Sequence, residues 1–249
     1  MKRIIIMALG VLLALALATP MALAQVGQGA NKSGTAAELA AAWTQWAYSK
    51  PVNQNSPLIG GGDAYSQARC DGTPVSPTQG KQWFLAGTTT GDPVVRTCTM
   101  PVGTHLFFPV VSSFGVKVFP SEDAEEERQK AINFINSVLA DPEFSQSMEV
   151  TVDEKAVKSD RIVRATSPLF TLTLPADNIF VNCPPVCPPI AVPAGDYEGA
   201  LADGVWVTLP PLPPGEHIIH FEFNAPNVGF SQDNTYILTV VNKGKKPAP

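Results

Sequence analysis

The sequence predicts a mainly β fold of β-sandwich type, immunoglobulin-like in outline, with two peripheral α-helices. Three observations predict it. Charged residues make up only 16% of the chain, while Gly and Pro number 19 and 24. Proline removes a backbone donor and is tolerated mainly at strand edges and turns, so this composition disfavours long helices. From residue 148 onward, short segments alternate apolar and polar residues with period two and are separated by Pro- and Gly-bearing turns.

The N-terminal residues predict export. Lys2 and Arg3 precede an apolar run over residues 4–17, Pro20 ends it, and Ala22-Leu23-Ala24 offers small residues at a cleavage site. This three-part layout predicts a signal peptide over residues 1–24, cleaved before Gln25. The run falls short of the ~20 apolar residues of a spanning helix. Residues 243–249 hold lysines and prolines and no apolar tail, so no C-terminal anchor is expected. The protein is therefore expected to be secreted or periplasmic, with no membrane span after cleavage. Residues 25–34 read as a disordered segment and 243–249 as a disordered tail. Residues 35–242 read as one globular unit with a sub-boundary near 141–148.

Within that unit, Thr35 and Glu38 form a capping box that opens a helix over 36–48. Leu39, Trp43, Trp46 and Ala47 share one face and dock it onto a sheet. A long loop follows, with Gly60, Gly61 and Gly62. Residues 82–87, 94–99 and 105–111 read as strands. Ser121 is the expected cap of a second helix over 122–140, whose early acids suit the positive end of the helix dipole. Those acids diverge around the helix axis, which argues against a calcium site. Asp141-Pro142 is the expected stop. Strands are then expected at 148–152, 161–165, 169–174, 178–181, 204–209, 216–224 and 235–241, with a turn at 153–155. Tyr236, before Ile237-Leu238-Thr239-Val240, resembles the tyrosine that pins a corner in immunoglobulin-like sandwiches. That analogy concerns fold alone.

The predicted mature chain keeps four cysteines, Cys70, Cys98, Cys183 and Cys187. An even count in an exported chain predicts two disulfides, for which three connectivities are open. Pairing nearest neighbours gives Cys70–Cys98 and Cys183–Cys187. The alternative, a metal site at Cys183-x3-Cys187, has loose spacing and no neighbouring histidine.

Several motifs resemble a set of uncharacterised exported bacterial proteins. They are Trp43-x2-Trp46-Ala47, Cys70, Trp83-Phe84-Leu85-Ala86-Gly87-Thr88, Arg96-Thr97-Cys98-x2-Pro101-x-Gly103 and Phe107-Phe108-Pro109. The C-terminal half adds Pro214-Gly215-x-His217-x-Ile219-x-Phe221 and a final strand, Asp233-x2-Tyr236-x-Leu238-x-Val240. The resemblance covers most of the mature chain and implies an exported bacterial protein built as one unit. It brings no activity with it.

Chemistry is sparsely marked. Removing Lys2 and Arg3 from the 17 basic residues leaves 15 against 22 acids, a net charge of −7, which repels phosphate backbones and excludes nucleic acid as a partner. The histidines are His105, His217 and His220. His217 and His220, three apart on a strand, point to opposite faces, so no metal site or cofactor is expected. No G-x-S-x-G occurs, and the Gly60 run lacks the Lys-Ser/Thr of a phosphate loop. Asp63, Asp71, Asp92 and Glu216 could supply a carboxylate pair, as in any acidic chain. The loops over 53–71 and 88–96 collect the candidate binding residues Asp63, Tyr65, Arg69, Asp92 and Arg96. Arg96, inside a strand, is expected to need a carboxylate partner. The leading expectation is a non-catalytic binding or structural protein with an extracytoplasmic partner or polymer. A hydrolase of envelope substrates is the alternative.

Overall fold

A computed structural model describes residues 35–52, 56–59, 82–181 and 192–242. The expected signal, N-terminal segment and C-terminal tail lie outside these residues.

Helix α1, Ala36–Tyr48, forms as its capping box predicts. The Thr35 hydroxyl accepts from Glu38 N at 3.3 Å, and the Glu38 carboxylate accepts from Thr35 N at 2.8 Å. Helix α2, Ala124–Ala140, is capped by Asp123 rather than Ser121. The Asp123 carboxylate accepts from the amides of Glu125 and Glu126, both at 2.9 Å. Glu122 stays outside the helix, where its carboxylate accepts from the amides of Val118 and Phe119. A third helix, α3, Pro142–Ser147, stands where a stop was expected. Asp141 ends α2 and caps α3 by accepting from Glu143 N at 2.9 Å. Pro142 starts a helix as readily as it stops one, because the first helical N–H has no partner in any case.

Ten strands follow the order β1 (Gln82–Phe84), β2 (Val94–Pro101), β3 (His105–Gly115), β4 (Glu149–Val152), β5 (Lys155–Ala156), β6 (Ile162–Thr166), β7 (Phe170–Leu174), β8 (Gly195–Leu209), β9 (Gly215–Ala225) and β10 (Phe230–Val241). They make two open five-stranded sheets. One has the order β1-β3-β8-β6, with β7 also on β8; the other has the order β2-β10-β9-β4-β5. The β1–β3 and β2–β10 pairs are parallel. Strands from both sides of residues 141–148 pair with each other in both sheets.

The expected 204–209 strand extends back to residue 195, Lys155 of the expected turn starts β5, and two further strand expectations fail in whole or in part. Residues 178–181 are a turn, because the Asn178 carboxamide holds the backbone. Its Oδ1 accepts from Phe180 N and Val181 N, and its Nδ2 donates to Pro175 O and Val192 O. An asparagine bonding its own backbone competes with a ladder. Strand β1 covers only half of the expected 82–87, and Trp83 in it is half-buried.

The main core lies between the sheets. Phe108 of β3 meets Phe221 of β9 at 4.8 Å between ring centroids. Ile135 and Val138 of α2 and Phe144 of α3 join this cluster. Gly115 brings α2 tight against β3, since a Cβ there would stand 2.0 Å from Glu127 O. On the other face of the first sheet, α1 packs Trp43 and Trp46 against Phe84, Phe107 and Trp206. Phe107 and Trp206 stack at 5.2 Å and 11°. Both faces of β8 are therefore covered, and Trp206 and Val207 are equally buried at 0% exposure. No helix among the described residues is long and apolar enough to cross a membrane.

Candidate binding cleft

Strand β1 pairs with β3 only from His105 to Phe107. After Leu85 N donates to Phe107 O, the chain turns away. Among the described residues, a cleft of about 350 Å³ opens beside the rest of β3. Its walls include Trp43 and Tyr48 of α1, Gly87 to Thr89, Ser112 to Phe114 of β3, Phe134 of α2, and Phe230 and Gln232 of β10.

Arg96 builds one wall from beneath. It alternates inward on β2 and is 3% exposed. Its Nη1 donates to Ala86 O at 2.7 Å and to the Tyr236 hydroxyl, and its Nη2 donates to Pro57 O at 2.7 Å. The Tyr236 hydroxyl donates to Ala86 O at 2.7 Å and accepts from Ala86 N at 3.0 Å. Tyr236 thus crosses to another segment instead of closing a corner near its own strand. Among the described residues its partners are two carbonyls and a phenol rather than a carboxylate, with the guanidinium also 5.5 Å from the Tyr236 ring centroid. A guanidinium spreads its charge over five donors, so carbonyl dipoles can satisfy it. The effect is to hold residues 57–58 and 86–88 in place. Thr89 N donates to Leu58 O at 2.9 Å and joins the two segments.

Gly87 leaves room for the end of the Gln232 side chain. The Gln232 carboxamide donates to Thr88 O at 2.9 Å and accepts from Asn234 Nδ2 at 2.9 Å. A Cβ on Gly87 would stand 1.6 Å from Gln232 Oε1. Tyr48 packs edge-on against Phe114 at 4.5 Å and stacks on Phe180 at 5.9 Å. Burial pushes its phenol pKa up, so it remains a neutral donor at ordinary pH.

Of the sequence-marked binding residues, Asp92 is exposed just before β2 and Arg96 is buried. No ion pair joins them among the described residues. Asp63, Tyr65 and Arg69 lie outside the described residues, as do Cys70, Cys183 and Cys187. Cys98 is fully buried and is not a free thiol. Thr88 and Thr89 fall in the 88–96 loop marked from sequence, whereas Ser112, Ser113 and Gln232 do not. The signal available was Ser112-Ser113 directly after the apolar Phe107-Phe108-Pro109-Val110-Val111 run.

A separate polar tie sits at the edge of the second sheet. His217 Nδ1 is 2.8 Å from Asp153 Oδ2, and its Nε2 is 2.9 Å from Pro213 O. Both partners are acceptors, which favours the doubly protonated ring. Burial lowers the His217 pKa, but the Asp153 and Pro213 contacts outweigh it and the net direction is up from 6.5. The Asp153 carboxylate is lowered, chiefly by its bond to His217. His217 therefore contributes stability that is complete below about pH 6.5 and is lost as pH rises through its higher folded pKa. Asp153 contributes stability above about pH 4 that is lost as pH falls through its depressed folded pKa. Denaturant melts across pH should show the wild-type advantage over His217→Gln shrinking on the alkaline side. A pH-independent difference would contradict the imidazolium reading. The effect is modest, because the Asp153 side chain is 46% exposed.

No family model matches the chain, and no curated protein matches it. A solved structure of a family 123 glycoside hydrolase from Clostridium perfringens aligns with 59% of this chain at 13% identity and a TM-score of 0.21. The chain spans 23% of that structure's length. A superposition of that quality carries no argument about fold or chemistry.

Proposed function

We propose that the mature chain is an exported, non-catalytic binding protein of the periplasm or extracellular space, and that its cleft takes a neutral, hydroxyl-rich ligand of the glycan class. The observation that carries this reading is the composition of the cleft. Aromatic rings from Tyr48, Phe114 and Phe230 stand beside hydroxyls and an amide from Thr89, Ser112, Ser113 and Gln232, with the buried Trp43 and Thr88 behind them. Sugar rings present C–H faces that lie on aromatic rings, and their hydroxyls exchange hydrogen bonds with neutral polar groups. A glycosidase needs two carboxylates across its cleft. Among the described residues that line this cleft, the titratable side chain is Tyr48.

Export rests on the signal layout and on the resemblance to exported bacterial proteins. A Cys70–Cys98 bridge would staple the segment before β1 to β2. The ligand test is a glycan screen with the mature chain, followed by calorimetry on Gln232→Leu. Selective binding that weakens by about tenfold or more, roughly 1.4 kcal/mol, is expected. Binding unaffected by Gln232→Leu would move the ligand elsewhere, and turnover of the glycan would replace binding with hydrolysis.

A further inference from the structure

The outer face of the second sheet carries a cluster that neither the core nor the cleft uses. His220 and Glu222 are two apart on β9 and share a face. Asp233 on β10 stands directly opposite Glu222, and Glu149 on β4 faces Glu222 from the other side. The register therefore sets three carboxylates in a row across adjacent strands. Like charges placed opposite each other destabilise a sheet. Among the described residues, no Lys or Arg pairs with any of the three; His220 is the basic group beside them.

The geometry at His220 is that of a ligand set. Its Nε2 lies 3.0 Å from Asp233 Oδ1 and 3.9 Å from Glu222 Oε2. One donor atom from each residue falls within 4.8 Å of the others. Donors bound to one ion at ~2.0–2.2 Å are themselves about 3–4 Å apart, so side-chain rotation is enough to bring them onto a common centre. The side chains are 27%, 39% and 48% exposed, which leaves the cluster open to an ion from solvent.

We propose that His220, Glu222 and Asp233 bind a divalent metal of the zinc or manganese class, with one nitrogen and two oxygen donors and the remaining positions open to water or to a ligand atom from a partner. Imidazole with carboxylates suits this class, and a single histidine with oxygen donors does not call for thiolate chemistry. The ion would offset the carboxylate row and tie β9 to β10.

The test uses untagged mature protein and Zn²⁺ alone as the probe. Calorimetry should find one Zn²⁺ per chain. Loss of a residue that merely supports a metal ligand costs about 10–100-fold in affinity. His220→Ala and Asp233→Asn, which remove ligands, should therefore cost about 100-fold or more. Glu222→Gln keeps the side-chain shape and should weaken uptake in the same direction. His217→Gln should leave uptake intact, and Co²⁺ substitution should give visible bands without thiolate charge transfer. No Zn²⁺ uptake, or uptake indifferent to His220→Ala and Asp233→Asn in folded protein, overturns the proposal.

Discussion

Arg96→Ala destabilises the protein by about 3–5 kcal/mol, the range for emptying a well-packed buried site. Two effects add. The truncated side chain leaves a void beneath residues 57–58 and 86–88. It also strips Pro57 O of its charged donor and removes one of the donors to Ala86 O and the Tyr236 hydroxyl. A buried acceptor left without a partner costs about 1–3 kcal/mol. Arg96→Lys should recover only part of the loss, because one ammonium cannot reproduce the guanidinium fork. Tyr236→Phe isolates a smaller share, about 1–3 kcal/mol, since Ala86 N then loses its acceptor. Equilibrium urea unfolding under non-reducing conditions measures all three. A loss under ~1 kcal/mol for Arg96→Ala would mean that the guanidinium is solvated and the wall is held by other contacts.

Asp203→Ala costs about 3 kcal/mol. The Asp203 side chain is fully buried on β8, and it accepts from Arg164 Nη2 at 2.7 Å, Thr166 Oγ1 at 3.0 Å and Gly204 N at 3.0 Å. Arg164 also donates to Asn136 Oδ1 at 2.8 Å, so the carboxylate orients a cation that ties α2 to β6. Breaking a buried pair by removing one partner costs ~3–5 kcal/mol. The low end applies here because the Arg164 side chain is 31% exposed and can turn to water. Asp203→Asn keeps an acceptor and should lose less. Equal losses for Ala and Asn would show that charge, rather than hydrogen bonding, dominates the site.

The sequence made the local devices legible. The capping box of α1 and the alternation of β9 and β10 depend on residues within a few positions of each other, and they form as read. Elements set by competition at a boundary were harder. Ser121 and Asp123 are both good caps, and the carboxylate at 123 is the one that reaches the first free amides. Asp141 reads as a stop until its second role, as cap of α3, is seen. Residues 195–203 carry Gly, Asp and Glu without an apolar period, so the first half of β8 is set by pairing with β3 and β7 rather than by its own pattern.

The sites were legible only in part, for a related reason. Arg96 stood out as a charge in an apolar strand, but its partners come from residues 57, 86 and 236, which meet only because β2 pairs in parallel with the last strand. The spacing of His217 and His220 correctly sends them to opposite faces. The outer-face row of Glu149, Glu222 and Asp233 depends on the register of three strands, which no single segment encodes. The cleft likewise joins α1 to β10 across most of the chain.

The glycan site proposed above is the cleft beside β3. Backbone and indole chemical-shift mapping of the mature chain during titration with a screened oligosaccharide tests it most directly. Perturbations concentrated at Trp43, Thr88, Thr89, Ser112, Ser113 and Gln232 are expected. Saturable perturbations confined to the outer face of the second sheet, with these six unmoved, would contradict it.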